Sequence, residues 1–232
     1  MKKYSHLFFD LDHTLWDLRT NARETLAELY LEEDLASHGI DDVESFIATF
    51  EEVSEGLWGR YEAGRIDRDV LRVLRSRNTL LHFAIKNDRL ADRIGRKYVE
   101  RCPYKSSLMP GARELLLDLG QHFKLHIITY GFAEIQAIKV RSSGIADLFT
   151  SIVSSEKAGV KKPDRRIFAH ALQLSGACKD ECLMIGDNPY ADMIGARRAG
   201  WDHAHFAAAC VADEEATYRL YTLDDLRPIL LP

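Results

Sequence analysis

Asp10 and Asp12 leave the apolar run Leu7-Phe8-Phe9 two residues apart. In extended chain, residues i and i+2 point to the same side. Both carboxylates are therefore expected to face the crevice beyond the C-terminal strand ends, where open α/β sheets bind ligands. Two carboxylates this close repel one another and any phosphate set between them. A divalent cation removes that objection, and magnesium favours carboxylate and phosphate oxygens in octahedral geometry. With charge balanced in this way, Asp10 is suited to attack phosphorus and form an acyl-phosphate. Asp12 is suited to protonate the leaving oxygen and then to deprotonate the hydrolytic water. The Thr14 hydroxyl can tie down the turn. A D-x-D pair taken alone is also compatible with a solvated acidic turn.

Three further segments carry groups that this chemistry needs. Thr129 closes the run Ile127-Ile128, and its hydroxyl, with the amides of Tyr130 and Gly131, can hold phosphate oxygens without adding negative charge. An ordinary turn reads the same way. Lys162 lies in GVKKPDRRIF, where Pro163 suits the first position of a helix whose buried face is Ile167, Phe168, Ala171 and Leu172. A lysine at that mouth neutralises a phosphate and Asp10 together, and Lys161 is its competitor. Asp187 follows Gly186, with Asn188 as N-cap and Pro189 in the first turn. Asp187 is the expected direct metal ligand. Asp192, one turn on, either orients metal waters or Lys162 from behind, or stabilises the helix N-terminus by charge–dipole attraction.

The elements that must position these groups alternate along the chain. Leu7–Phe9, Leu125–Ile128, Ser151–Val153, Cys182–Ile185 and His203–Phe206 read as strands, with amphipathic helices between the later ones. Between the first strand and the second lies a helical stretch from about Thr20 to Arg101. In it Phe46, Phe50, Val53, Leu57 and Tyr61 recur at steps of three and four, and Gly64 is a stop. That break in rhythm predicts an α/β parallel sheet core over residues 1–16 and 106–232, with a helical cap over 17–105 inserted after strand one. In the insert, Trp58 and Tyr61 can either stack on a base or pack the insert's own core, and Arg60 can meet a leaving-group oxygen. Arg68, Arg72 and Arg75 share a helical face, which reads as solvated surface.

These residues together resemble the haloacid dehalogenase superfamily of phosphotransferases. FFDLDHTL is similar to its first motif, IITYG to its second, KKPD to its third and GDNPYAD to its fourth. The resemblance implies a Rossmann-like sheet of order 5-4-1-2-3 with a helical cap. It also implies Mg2+ held by the Asp10 and Asp187 side chains and the Asp12 carbonyl, and an acyl-phosphate on Asp10. Dehalogenases of this kind lack the second aspartate, and phosphatases keep it. TLWD after the first motif and GLWGRYEAGRI in the insert resemble the branch acting on pyrimidine and non-standard nucleoside monophosphates. His13 and Tyr130 depart from the usual Gly or Asp and Asn, at positions expected to line the entrance. The competing expectations are a phosphosugar phosphatase or mutase of the same superfamily, and a non-catalytic binding module on the same sheet.

Bulk properties narrow the class. The 232 residues are 46% hydrophobic and 29% charged, enough for a substantial core. A formal charge of -5 provides no basic field for a nucleic-acid polymer. No apolar run reaches membrane-spanning length and the N-terminal apolar stretch is short for a secretory signal, so the cytoplasm is the expected compartment. The expected partner is a small phosphorylated metabolite. Cys178 and Cys182 are expected as buried free thiols near a strand start, and no C-x-x-C pair occurs among them, Cys102 and Cys210.

Overall fold

A computed structural model describes residues 3–207 and 213–231. The strands are β1 (His6–Phe9), β2 (Lys124–Thr129), β3 (Ser151–Ser154), β4 (Cys182–Gly186), β5 (Asp202–Phe206) and β6 (Tyr218–Leu220). They form one sheet in the order β3-β2-β1-β4-β5-β6, with every neighbouring pair parallel. This is the expected order with β6 added outside β5. The short segment Tyr218-Arg219-Leu220 carries no apolar run and gives no strand signal in the sequence. β1 and β4 are buried along their whole length, as expected for parallel strands covered on both faces.

The helices are α1 (Leu18–Glu32), α2 (Val43–Glu62), α3 (Arg68–His82), α4 (Asp88–Arg101), α5 (Ala112–Gly120), α6 (Ala133–Ser142), α7 (Ser155–Ala158), α8 (Arg165–Ser175), α9 (Gly195–Ala199) and α10 (Leu226–Leu230). The chain divides into two compact units, Met1–Leu18 with Ser106–Pro232, and Arg19–Lys105.

In the sheet unit, Phe8, Ile128, Val153 and Met184 meet Ile167, Phe168 and Ala171 of α8, together with Ala196 and Trp201. Phe8 and Phe168 both pack on the Trp201 ring, with centroids 4.7 and 5.3 Å away. Burial of this apolar surface on the sheet is the main force that holds the strand ends in fixed positions. Cys182 is buried and donates to the Cys178 carbonyl at 3.2 Å, whereas Cys178 is exposed, contrary to expectation. It lies on the turn ahead of the strand rather than in it. Cys210 lies outside the described residues.

In the helical unit, Asp42, Asp67 and Asn87 cap α2, α3 and α4 by accepting backbone N–H groups. Phe46, Phe50 and Leu57 of α2 are buried, and Val53 and Tyr61 are half-buried at the edge of that face. Arg75 corrects the surface reading of the arginine run. It is 7% exposed, and its guanidinium lies over the rings of Tyr98 (4.4 Å) and Phe50 (5.2 Å). On α3 it follows Leu71 by one turn, so the face that buries Leu71 buries Arg75 as well. Among the described residues no helix is long and apolar enough to cross a membrane.

Candidate active site

Asp10 follows β1, and its N–H donates to the Ile185 carbonyl of β4 at 2.8 Å, which fixes it between the two central strand ends. Thr129 ends β2, and Asp187 follows β4. The C-terminal edge of the sheet therefore presents all three side by side, as parallel pairing requires.

Lys162 reaches this edge from the loop before α8. Its ammonium donates to Asp10 Oδ1 at 2.7 Å, Asp192 Oδ1 at 2.5 Å and the Ile128 carbonyl at 3.0 Å. All three N–H groups are thus satisfied. The competitor Lys161 instead lies over the Tyr130 ring at 5.6 Å. The helix after it differs from expectation. Pro163 is not the first helical residue; the Lys162–Pro163 peptide is cis, and Asp164 caps α8 by accepting from Arg166 N–H at 2.9 Å. Aspartate is the stronger N-terminal signal here, and it moves the start two residues on.

Asp192 sits in a π-helical turn, Pro189–Ile194, capped by Asn188, whose side chain accepts from Tyr190 N–H and Ala191 N–H. Asn188 N–H in turn donates to Asp192 Oδ2 at 3.1 Å. A Cβ on residue 186 would overlap the Asp192 carboxylate, so Gly186 is what lets Asp192 approach the end of β4. Thr14 braces Asp187 from the other side. Its hydroxyl donates to Asp187 Oδ1 at 2.9 Å and accepts from Asp187 N–H at 3.1 Å. Thr14 therefore ties the first loop to the fourth strand end rather than to its own turn. His205 of β5 accepts the Asp213 N–H on Nδ1 at 2.8 Å, so Nε2 donates to the Asp187 carbonyl at 2.9 Å.

Carboxylate oxygens of Asp10, Asp187 and Asp192 all lie within 4.8 Å of one another. Burial, together with the neighbouring Asp192, pushes the Asp10 carboxyl up to about 7 against the pull of Lys162. Burial and the nearby Asp10 raise Asp187 to about 6. Asp192, fully buried, is also raised, first by burial.

Asp12 belongs to a different environment. Its carboxylate turns to α6, where Oδ1 pairs with Lys139 Nζ at 2.5 Å and Oδ2 accepts from Gln136 Nε2 at 2.9 Å. Burial acts upward on Asp12, but Lys139 and Gln136 carry it below the ordinary carboxylate range. Lys139 also lies 4.4 Å over the Trp16 ring. The two carboxylates on one strand end thus have opposite electrostatic environments.

The structure brings Asp10, Thr129, Lys162, Asp187 and Asp192 to one edge, with Asp12 beside them. His13 is exposed at the same turn with a left-handed backbone, φ 62°. Tyr130 and Gly131 follow Thr129 directly and are half-buried. Trp58 and Arg60 lie in the helical unit near the end of α2. Trp58 is half-buried with its ring edge-on to Tyr61 at 5.6 Å, and Arg60 is exposed. Gln136, Lys139 and His205 contact the site without having been expected there. The signal for the first two was a polar pair at i and i+3 in the helix that follows IITYG.

A parallel sheet with a helical insert after strand one, carrying acids, a hydroxyl and a lysine at its C-terminal edge, defines an α/β hydrolytic enzyme of the phosphotransferase type. The description "haloacid dehalogenase-like hydrolase" matches residues 4–200, and the chain belongs to that family. Among its relatives, the HAD-hydrolase YfnB of Bacillus subtilis is 30% identical, with 99% of this chain and 97% of YfnB covered. The pyrimidine 5'-nucleotidase PynA of Streptococcus pneumoniae is 28% identical over 96% and 93% of the two chains. The pyrimidine 5'-nucleotidase YjjG of Escherichia coli is 28% identical over 88% of each. The crystal structure of YfnB, bound to magnesium, superposes with a TM-score of 0.85 at 27% identity and covers 99% of both chains.

Proposed function

We propose that this chain is a magnesium-dependent phosphomonoester hydrolase that works through an aspartyl-phosphate on Asp10 and acts on nucleoside 5'-monophosphates. The observation that carries the reading is the Lys162 ammonium shared between Asp10 and Asp192 inside a three-carboxylate cluster. The cluster holds more acid than one lysine balances, and all its donors are oxygens, a set that fits magnesium. Asp10, Asp187 and the Asp12 carbonyl would hold the ion, and Asp192 would fix Lys162 from behind. When bound, magnesium offsets the repulsion between carboxylates and phosphate and polarises the phosphoryl oxygens.

The residues then divide the work. The Asp10 carboxylate attacks phosphorus while the Thr129 hydroxyl holds one phosphoryl oxygen and Lys162, exchanging its bond to the reacting Asp10 for one to phosphate, holds another. The bond to the leaving oxygen breaks, and Asp12, which takes up a proton as the negative charge of the substrate enters beside it, delivers that proton to the leaving oxygen. Asp12, now ionised, takes a proton from water, which attacks phosphorus and releases inorganic phosphate from Asp10. Lys139 and Gln136 favour this ionised, base form of Asp12.

Similarity to the two pyrimidine 5'-nucleotidases over most of the chain supports the nucleotide substrate class. The test is phosphate release with magnesium across a panel of nucleoside monophosphates and sugar phosphates. Nucleoside monophosphates should be preferred, and Asp10→Asn should abolish turnover, because a carboxamide is a poor nucleophile. A sugar-phosphate preference would overturn the substrate class. Normal turnover by Asp10→Asn would overturn the mechanism.

A further inference from the structure

Gln136 is 1% exposed and sits on the inner face of α6, where an apolar residue is the usual occupant. Its Nε2 lies 2.6 Å from Thr129 Oγ1 and 2.9 Å from Asp12 Oδ2. Its Oε1 is buried without a hydrogen-bond partner among the described residues. Leaving an amide oxygen unsatisfied in the interior is costly, so the orientation has to be enforced. Asp12 enforces it. An ionised carboxylate only accepts, and turning the amide over would set Oε1 against it.

A second consequence falls on Thr129. An amide nitrogen has two hydrogens and no lone pair to offer, so Thr129 Oγ1 must accept one of them. Thr129 Oγ1 makes no other hydrogen bond among the described residues. Its own hydrogen is thereby kept out of the Gln136 contact and left for another acceptor. Gly131 makes the arrangement possible. A Cβ there would stand 2.6 Å from Gln136 Cδ and Nε2, too close for any side chain.

We propose that Gln136 is a positioning residue that orients the Thr129 hydroxyl as a phosphoryl-oxygen donor and holds the Asp12 carboxylate beside it. This rests on the phosphatase reading and deepens it. Gln136 is given no bond to the phosphoryl group or to the leaving oxygen; its one amide links the hydroxyl that binds phosphate to the carboxylate that moves the proton.

The experiment is a double-mutant cycle with magnesium present, on Gln136→Leu, Thr129→Val and the pair, using a nucleoside monophosphate as substrate. Thr129→Val should lower kcat about 10²–10³-fold, as for loss of one oxyanion donor. Gln136→Leu should lower it about 10–100-fold, as outer partners of a site do, with KM altered far less than kcat. In the Thr129→Val background the Gln136→Leu loss should shrink by at least about threefold, because one of its two targets is already gone. Gln136→Met, which keeps the length of the stem and loses the N–H groups, should behave as Gln136→Leu does. It serves in its place if the leucine variant melts early. Full additivity, an unchanged kcat, or a loss confined to KM would overturn the proposal. If Asp10→Asn is dead and Gln136→Leu is normal, the positioning role fails and the phosphatase reading stands. A wild-type protein inert toward every phosphomonoester would sink both.

Discussion

Lys162 in the sheet unit and Arg75 in the helical unit are both more than nine-tenths buried, at 4% and 7% exposure. Their surroundings differ in kind. Burial pulls both cations toward the neutral form. Asp10 and Asp192 carry Lys162 back above its ordinary value, whereas Arg75, with no carboxylate partner among the described residues, stays below its own. The faces of Tyr98 and Phe50 hold Arg75 instead. A buried cation among surplus acids marks a site where charge is balanced for a reaction. A buried cation on aromatic rings marks packing. The comparison breaks most decisively at Lys162→Met. That change should lower kcat on the order of 10²–10³-fold, since it removes a donor to the phosphoryl group. It should also cost about 3–5 kcal/mol of stability at pH 8, because two carboxylates lose their partner in the interior. At pH 5 the stability cost should be smaller, as those carboxylates take up protons. Steady-state kinetics and denaturant unfolding at the two pH values measure both. Retained turnover would place Lys162 with Arg75.

The acids of the sheet unit sharpen the contrast through their pH dependence. Asp10 and Asp187, raised to about 7 and about 6, prefer to be protonated in the metal-free fold. A raised folded-state pKa means the contribution to stability is full below the unfolded value, about 4. It is lost as pH rises through 6 and 7. Metal-free protein should therefore lose stability between pH 5 and 8 on account of these two groups. Magnesium takes the ionised form, so its binding releases protons and strengthens with pH. Each proton released is worth about 1.4 kcal/mol per pH unit. The rise in melting temperature on adding magnesium should be slight at pH 5 and grow steadily to pH 8. A shift of the same size at every pH would show that these carboxylates are not the cation's ligands. The helical unit offers no such cluster among the described residues, and its unfolding should show no comparable magnesium dependence.

What the sequence made legible follows the same division. The strands were visible because parallel strands covered on both faces are unbroken apolar runs, and Asp10, Thr129 and Asp187 each stand just where such a run stops. Gln136 and Lys139 were not visible, because periodicity assigns polar positions of a helix to solvent. On α6 Gln136 and Lys139 face inward beside Val140, so apolar periodicity does not mark the buried side. The same rule assigns Arg75 to the surface. A guanidinium in a run of arginines looks like a surface charge until two rings close over it. The start of α8 shows another limit: Pro163 and Asp164 both signal a helix beginning, and only the folded chain decides between them. β6 was too short to carry a period at all.

Arg75 therefore supplies a test of the aromatic half of the comparison. Arg75→Met keeps most of the apolar contact and removes the charge together with its cation–π attraction, worth about 1–2 kcal/mol. Part of that loss is offset, because the charge no longer has to be desolvated. The net change in stability should stay under about 2 kcal/mol, well below that of Lys162→Met at pH 8. Turnover per folded molecule should be unchanged. Thermal unfolding and active-site-normalised kinetics decide it. A fall in kcat/KM with the fold intact would move Arg75 from packing to recognition, and the contrast with Lys162 would no longer hold.

The smallest expected effect is at His13, which shares its loop with both carboxylates. Its φ of 62° is left-handed backbone, which costs a side chain with a Cβ about 1–2 kcal/mol relative to the right-handed region. Glycine pays no such steric penalty but gains freedom in the unfolded chain, about 0.5–1 kcal/mol. His13→Gly should accordingly raise stability by no more than about 1 kcal/mol. The imidazole also lies close enough to Asp12 and Asp187 to influence both. If that influence matters to turnover, His13→Gly will shift the pH–rate profile, and His13→Asn, which tolerates the same backbone, will shift it equally. If the histidine is only a lining residue, as its exposure suggests, stability will change and the profile will stay where it was. A variant that lost several kcal/mol would instead mean that the His13 side chain holds the Asp10–Asp12 turn together. The tie between the first loop and β4 would then rest on more than Thr14.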